Sequence, residues 1–237
     1  MTTAISSMAT RHVLADLAAA AVGAGLPLVE IESVGGVDAA RRVAAGEPFD
    51  LVFLASDALA RLAADGHVDA ASVAPLMLSQ TAVAVPSGTD AAAPRPDGTA
   101  YPDAAALRSA LRAASRIGYS TGPSGTALVR MIDEWGLTAE LGDRLVRARP
   151  GVPVAQSVAS GEVDLGFQQL SELVGQPGVR ILGVLPPDCA IDTVFAGAVA
   201  ATSADPATAR AVLEFLSSSD AAATIIAAHS FGAVPAG

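Results

Sequence analysis

Three times in its first 64 residues the chain repeats one move: a short apolar strand, a turn carrying serine, then a helical stretch. Thr3 to Ser6 leads into a helix expected over 9–24, ended by Gly25 with Pro27 beyond it. Leu28 to Glu32 leads through Ser33-Val34-Gly35-Gly36 into a helix over 37–45, closed by Gly46. Asp50 to Ala55 leads through Ser56-Asp57, read as a cap, into a helix over 58–64. Such alternation predicts an α/β fold, a mostly parallel sheet flanked by helices. In open sheets of this kind ligands gather at the carboxyl ends of the strands.

After Leu76 a long strand, Ser79 to Pro86, runs into a loop rich in Pro, Gly and Asp over 87–103. That reads as a crossover into a second lobe. There the pattern resumes: helix 104–114, strand 116–119, helix 125–134, helix 154–160, strand 163–167 and a helical turn opening at Gln168. Strands over 179–185 and 193–201 carry the chain back, and helices over 206–217 and 221–229 close it. The expected division is lobe one over 1–82 and 190–237, and lobe two over 83–189. With 237 residues, 51% of them hydrophobic, each lobe can bury a core of its own.

Two junctions stand out. Ala4-Ile5-Ser6-Ser7 at the first strand end and Tyr119-Ser120-Thr121-Gly122-Pro123-Ser124-Gly125 later both run hydroxyl residues into a helix. A helix start has free N–H groups and the positive end of the dipole, so such residues can hold an anion. They can equally be ordinary N-caps. If both junctions face one cleft, the protein grips a small anion.

Charge narrows the partners. The net charge is −10, and all 14 basic residues are Arg, so Schiff-base lysine chemistry is excluded. An acidic chain with no basic run argues against nucleic acid and anionic membrane. No stretch of about 20 residues is apolar enough to insert into a bilayer. Cys189, alone, reads as a small buried hydrophobe. His12, His67 and His229 show no paired ligand spacing, so no metal site is expected. Met1-Thr2-Thr3-Ala4-Ile5 runs directly into strand, without a signal-peptide pattern. The expectation is a cytoplasmic protein, or a periplasmic one if a leader has been removed.

The layout resembles the type II periplasmic-binding-protein fold, two-lobed with a ligand cleft between the lobes, and within it the molybdate-binding-protein-like group. The likeness rests on Ser6-Ser7, on Ser33-Val34-Gly35-Gly36, on the stretch from Ala45-Gly46-Glu47-Pro48 to Ala55-Ser56-Asp57, and on Ser160-Gly161-Glu162-Val163-Asp164-Leu165-Gly166-Phe167. It breaks where molybdate receptors carry an aromatic residue and an Asp turn, since this chain has Gln168-Gln169-Leu170-Ser171-Glu172. That segment and the hydroxyl-rich loop over 119–125 resemble the branch that includes aconitate isomerases.

The resemblance implies a pocket of Ser6, Ser7 and Ser33 from lobe one, and of Ser120, Thr121, Ser124, Gly125 and Gln169 from lobe two. Hydroxyls, backbone N–H groups and the Gln169 amide all donate to oxygen, which suits an oxyanion or a carboxylate. A tricarboxylate also calls for an Arg in bidentate contact. Arg11 can supply it, or can be a solvated helix-face residue. Isomerisation of aconitate shifts a proton along an allylic unit, needs one base and requires no cofactor. His12 is a candidate base, with Tyr119 and Glu172 as alternatives. The two functions implied are an aconitate-isomerase-like enzyme, or a molybdate-type or organic-anion receptor partnered by a transporter permease.

Overall fold

The computed structural model describes residues 2–88, 98–149 and 152–234. Its first elements are β1 (Thr2–Ser7), α1 (Arg11–Gly23), β2 (Val29–Val34), α2 (Gly36–Ala44), β3 (Leu51–Ala55), α3 (Ser56–Ala64) and the long β4 (Ala74–Pro86). Next come α4 (Ala104–Ala113), β5 (Ile117–Tyr119), α5 (Pro123–Glu134), α6 (Thr138–Leu141), β6 (Leu145–Arg147) and α7 (Val154–Ala159). The chain ends with β7 (Leu165–Gln169), α8 (Leu170–Leu173), β8 (Val179–Val184), β9 (Asp192–Val199), α9 (Pro206–Ser218) and α10 (Asp220–Ala228). Of the loop expected over 87–103, residues 89–97 lie outside the described residues.

The chain forms two compact units, Met1–Leu78 with Thr193–Gly237, and Ser79–Asp192. The divisions fall inside β4 and β9, whereas the sequence reading placed them after residues 82 and 189. A continuous strand offers no turn signal to mark such a point.

In the first unit the sheet runs β2-β1-β3-β9, with β1 parallel to both neighbours and β9 antiparallel to β3. Strand alternation splits its side chains between two cores. Ala4, Leu51, Phe53 and Phe195 pack against α1, α9 and α10, while Ile5, Val52, Leu54 and Ala198 pack against α2 and α3. No single helix among the described residues is long and apolar enough to cross a membrane; α9 and α10 reach that test only as a pair bent by 61°. Their Val212, Leu213, Leu216 and Ile226 are buried in the first of these cores.

In the second unit the order is β8-β4-β7-β5-β6, with β5 parallel to β6 and β7, and β4 antiparallel to β7 and β8. Val83, Ile117, Leu165 and Phe167 face α4 and α5. On the other side α7 lies close over the paired Gly118 and Gly166, where a Cβ on Gly166 would come within 2.4 Å of Val158.

Local readings shift in several places, among them Gln168 and Gln169, which end β7 instead of opening a helical turn because the ladder with β4 runs through Ala82↔Gln168 and Thr81↔Gln169. Ser33 and Val34 are the last residues of β2, not a turn, because the β1 ladder continues through Ser6↔Ser33 and Ser7↔Val34. Ser56 begins α3 instead of capping it, and its hydroxyl donates to the Val194 carbonyl at 3.1 Å. Residues 8–10 form a single 3-10 turn before α1, tied by the Thr10 hydroxyl donating to the Ser7 carbonyl. The short elements α6 and β6 carry too little periodicity to be read from sequence.

Candidate functional site

Each unit gathers polar side chains at the ends of its parallel strands. In the first unit, β1 and β2 end side by side, which sets Ser6 next to Ser33 with 2.8 Å between their hydroxyl oxygens. Ser6 is fully buried on the α1 side of the sheet. Ser7, one residue on, turns to the opposite face beneath the start of α2. A Cβ on Gly36 would lie 3.6 Å from that of Ser7. The Ser7 hydroxyl is buried and has no hydrogen-bond partner. A buried hydroxyl left without a partner costs on the order of 1–3 kcal/mol, so it calls for a ligand atom or water.

The capping alternative is not what these serines do. Ser7 makes no side-chain cap bond, and neither does Thr10 at the start of α1. Arg11 and His12, in the first turn of α1, are both exposed. The Arg11 guanidinium donates to Nε2 of His12 at 2.9 Å, which makes that ring nitrogen an acceptor. The partner that each finds is the other, and neither bonds to Ser6, Ser7 or Ser33.

In the second unit, β5 ends at Tyr119 and Ser120 turns the chain into α5. Pro123 occupies the first turn, and no side chain caps this helix. Its free N–H groups and positive dipole end therefore remain available to an anion. Ser120 and Ser124 face each other with 3.0 Å between hydroxyl oxygens. Gly125 is required here by contact: a Cβ would stand 1.9 Å from the Ser120 carbonyl oxygen. Ser124 and Gly125 are buried, Thr121 is exposed, and Tyr119 packs against the core.

Gln169 ends β7, beside β5. It is 5% exposed, and its Oε1 has no partner. Across the ladder it faces Thr81 of β4, whose buried hydroxyl is also without a partner; the same holds for the hydroxyls of Ser79 and Ser171. The sequence reading passed over Ser79 and Thr81. Two hydroxyls at alternate positions, flanking Gln80 in a largely apolar strand, are the signal that was available.

Gln168 points to the other face. Its Oε1 accepts from the Ala155 N–H at 3.2 Å, and its amide donates to the Glu172 carboxylate. Burial pushes the Glu172 carboxyl up from the ordinary glutamate value, and the Gln168 hydrogen bond opposes that only in part. Cys189 is buried, and desolvation raises its thiol to about 11, so it is not a thiolate nucleophile at neutral pH. Among the described residues no group of three or more His, Cys, Asp or Glu side chains is placed to hold a metal ion.

Polar donors gathered at strand ends of an α/β sheet mark where a ligand binds. The chain matches the profile of the bacterial extracellular solute-binding proteins over residues 2–231, and it belongs to that family. It is 36% identical over 207 residues to an aconitate isomerase from Pseudomonas sp., a match covering 86% of this chain and 76% of that one. Among solved structures it is similar to the periplasmic molybdate-binding protein of Azotobacter vinelandii, at 20% identity, full coverage of both chains and a TM-score of 0.73. It also resembles the sulfate-binding protein of Mycobacterium tuberculosis, at 19% identity, 97% and 85% coverage and a TM-score of 0.69.

Proposed function

We propose that this protein binds a small organic polycarboxylate and interconverts trans- and cis-aconitate. The observation that carries this reading is the 36% identity to an aconitate isomerase, spread over 86% of the chain. The chemistry of the second unit supports it: Ser120, Ser124 and Gln169 offer donors to oxygen, and the start of α5 adds free N–H groups.

The reaction moves one proton. A base removes it from the methylene carbon of the substrate, the freed electron pair forms the new C=C bond, and the old double bond shifts its electrons to the far carbon. The base then returns the proton there. Charge delocalised into the flanking carboxylates during the shift is what donors at a strand end would stabilise. Glu172 is one candidate base: burial raises its proton affinity, though its carboxylate stands against Gln168, on the face of β7 opposite Gln169. His12 is the competing candidate, its Nε2 already accepting from Arg11. Arg11 would then orient that ring.

Proton NMR of the protein with trans-aconitate in D2O tests this directly. Formation of cis-aconitate with deuterium uptake is the expected result, and its loss in Glu172→Gln or in His12→Asn identifies the base. No conversion by the unsubstituted protein overturns the isomerase reading.

A second reading is favoured by the fold likeness to molybdate- and sulfate-binding proteins and by donor sets that carry no charge of their own. On it the protein is a molybdate-type or organic-anion receptor of the periplasm, delivering its ligand to a transporter permease. Tight molybdate binding without isomerisation would favour it.

A further inference from the structure

Among the described residues, Ser79, Thr81, Gln169 and Ser171 of the second unit each bury a side-chain oxygen that has no partner. Thr81 and Gln169 are also register partners, directly opposite each other in the antiparallel β4–β7 ladder. The Thr81 backbone is turned the other way: its N–H donates to the Ile191 carbonyl at 3.1 Å, and its carbonyl accepts from the Leu185 N–H at 3.0 Å. Toward β7 the two residues therefore form a non-hydrogen-bonded pair, the kind that sets Cα atoms about 4.5 Å apart and brings side chains closest.

Both side chains stand on the face that α5 covers. Val83 and Phe167, two positions along each strand, pack with Leu128 and Ile132 of α5, whereas Ala82 packs with Ala155 and Leu170 on the opposite face. β5 ends at Tyr119, the register partner of Phe167, and the chain turns from there into α5. The Thr81–Gln169 pair thus shares a sheet face and a strand end with the first turn of α5.

Thr81 is 2% exposed and Gln169 5%. The Thr81 hydroxyl makes no bond to the Gln169 Oε1 across the ladder, nor to any other described group. Side by side, the pair offers one O–H donor and one carbonyl acceptor. An ionised carboxylate or an oxyanion only accepts, so it meets the Thr81 donor and leaves the Gln169 acceptor unmet. An alcohol donates and accepts, so it meets both. Because a buried group left unmet is costly, the pair favours the ligand that satisfies both.

We propose that Thr81 is a further ligand-binding residue and that, with Gln169, it selects a polycarboxylate carrying an alcohol. The ligand hydroxyl donates to Gln169 Oε1 and accepts from the Thr81 hydroxyl. The proposal rests on the polycarboxylate reading above, in which Gln169 faces the ligand, and it widens the ligand class to hydroxypolycarboxylates. Such an acid has no allylic unit, so it binds without reacting and competes with aconitate.

Citrate and tricarballylate differ by a single hydroxyl, so titration calorimetry of the full chain with each isolates its contribution. Citrate is expected to bind about 5- to 50-fold more tightly, the range for one satisfied buried hydrogen-bonding group. Thr81→Val, which removes the hydroxyl and keeps the shape, is expected to bring that ratio to within about twofold of one by weakening citrate, whereas Thr81→Ser keeps most of it. The melting temperature of Thr81→Val should hold or rise, since the hydroxyl it loses is unpartnered. Equal affinities for the two acids in the parent protein, or a ratio that survives Thr81→Val, overturn the proposal and leave the polycarboxylate reading standing. A parent protein that binds none of trans-aconitate, citrate and tricarballylate overturns both.

Discussion

Ser124 and Gly125 divide the labour of one turn. Ser124 presents a hydroxyl 3.0 Å from that of Ser120, and Gly125 lets the Ser120 carbonyl approach so closely that a methyl group would stand 1.9 Å from its oxygen. Ser124→Ala should therefore weaken ligand binding by about 1–3 kcal/mol, the cost of leaving a bound acceptor without its donor, with little change in melting temperature. Gly125→Ala should unsettle the turn itself and lower stability by more than about 2 kcal/mol, because the clash is with backbone. Chemical denaturation beside ligand titration separates the two. Glu172 makes a different kind of prediction. Its folded-state pKa is raised, so the neutral form is the one folding favours; that contribution is fully present below the ordinary glutamate value and is lost as pH rises through the raised one. Glu172→Gln should flatten this arm of the stability curve and raise the melting temperature near neutral pH. A stability curve unchanged by the substitution would show that burial at Glu172 carries no such penalty.

At the scale of elements, the starts of β1 and β3 are held by a carboxylate at the edge of the sheet opposite Ser6 and Ser7. Asp50, just before β3, accepts from the Thr3 backbone N–H at 2.9 Å and its hydroxyl at 3.2 Å, from the Ser203 hydroxyl at 2.8 Å, and from the Ala204 N–H at 3.1 Å. It ties β1 to the segment that leads into α9. Partial burial pushes its carboxyl up, but the hydrogen bonds from Thr3, Ser203 and Ala204 outweigh that and hold it below the ordinary aspartate value. The depressed value means stability that is present above the unfolded pKa and lost as pH falls through the folded one. Asp50→Asn should melt earlier than the parent at pH 7, with the gap closing in acid; a gap that is constant with pH would show the bonds to be geometric, not charge-assisted. Elements of this kind were largely legible in the sequence, because strand-to-helix changes of period and terminal Gly and Pro mark them. Ser33 was misread as a turn because the Gly-Gly that follows gives a strong turn signal, while only pairing with β1 shows that the strand continues through Val34. Ser6 with Ser33 and Ser120 with Ser124 were legible as site candidates by residue type. Thr81 was not, since what brings it beside Gln169 is the register of β4 against β7, and register has no local signature.

The whole molecule sets a further condition on any anionic ligand. The chain carries a net charge of −10, and much of its positive charge is committed, as in Arg42 with Glu32 and Glu47, Arg210 with Asp69, and Arg112 with Glu140. A trivalent anion therefore approaches against the overall field and is held only once it meets local donors and an uncommitted guanidinium. Repulsion at a distance is screened within about 10 Å at 0.1 M salt, whereas short contacts in a partly desolvated site are screened far less. Association of trans-aconitate should accordingly speed up as sodium chloride rises from about 20 to 200 mM, while dissociation changes little, and stopped-flow mixing resolves the two. A rate that instead falls with salt would mean that local positive charge, not net charge, governs the approach.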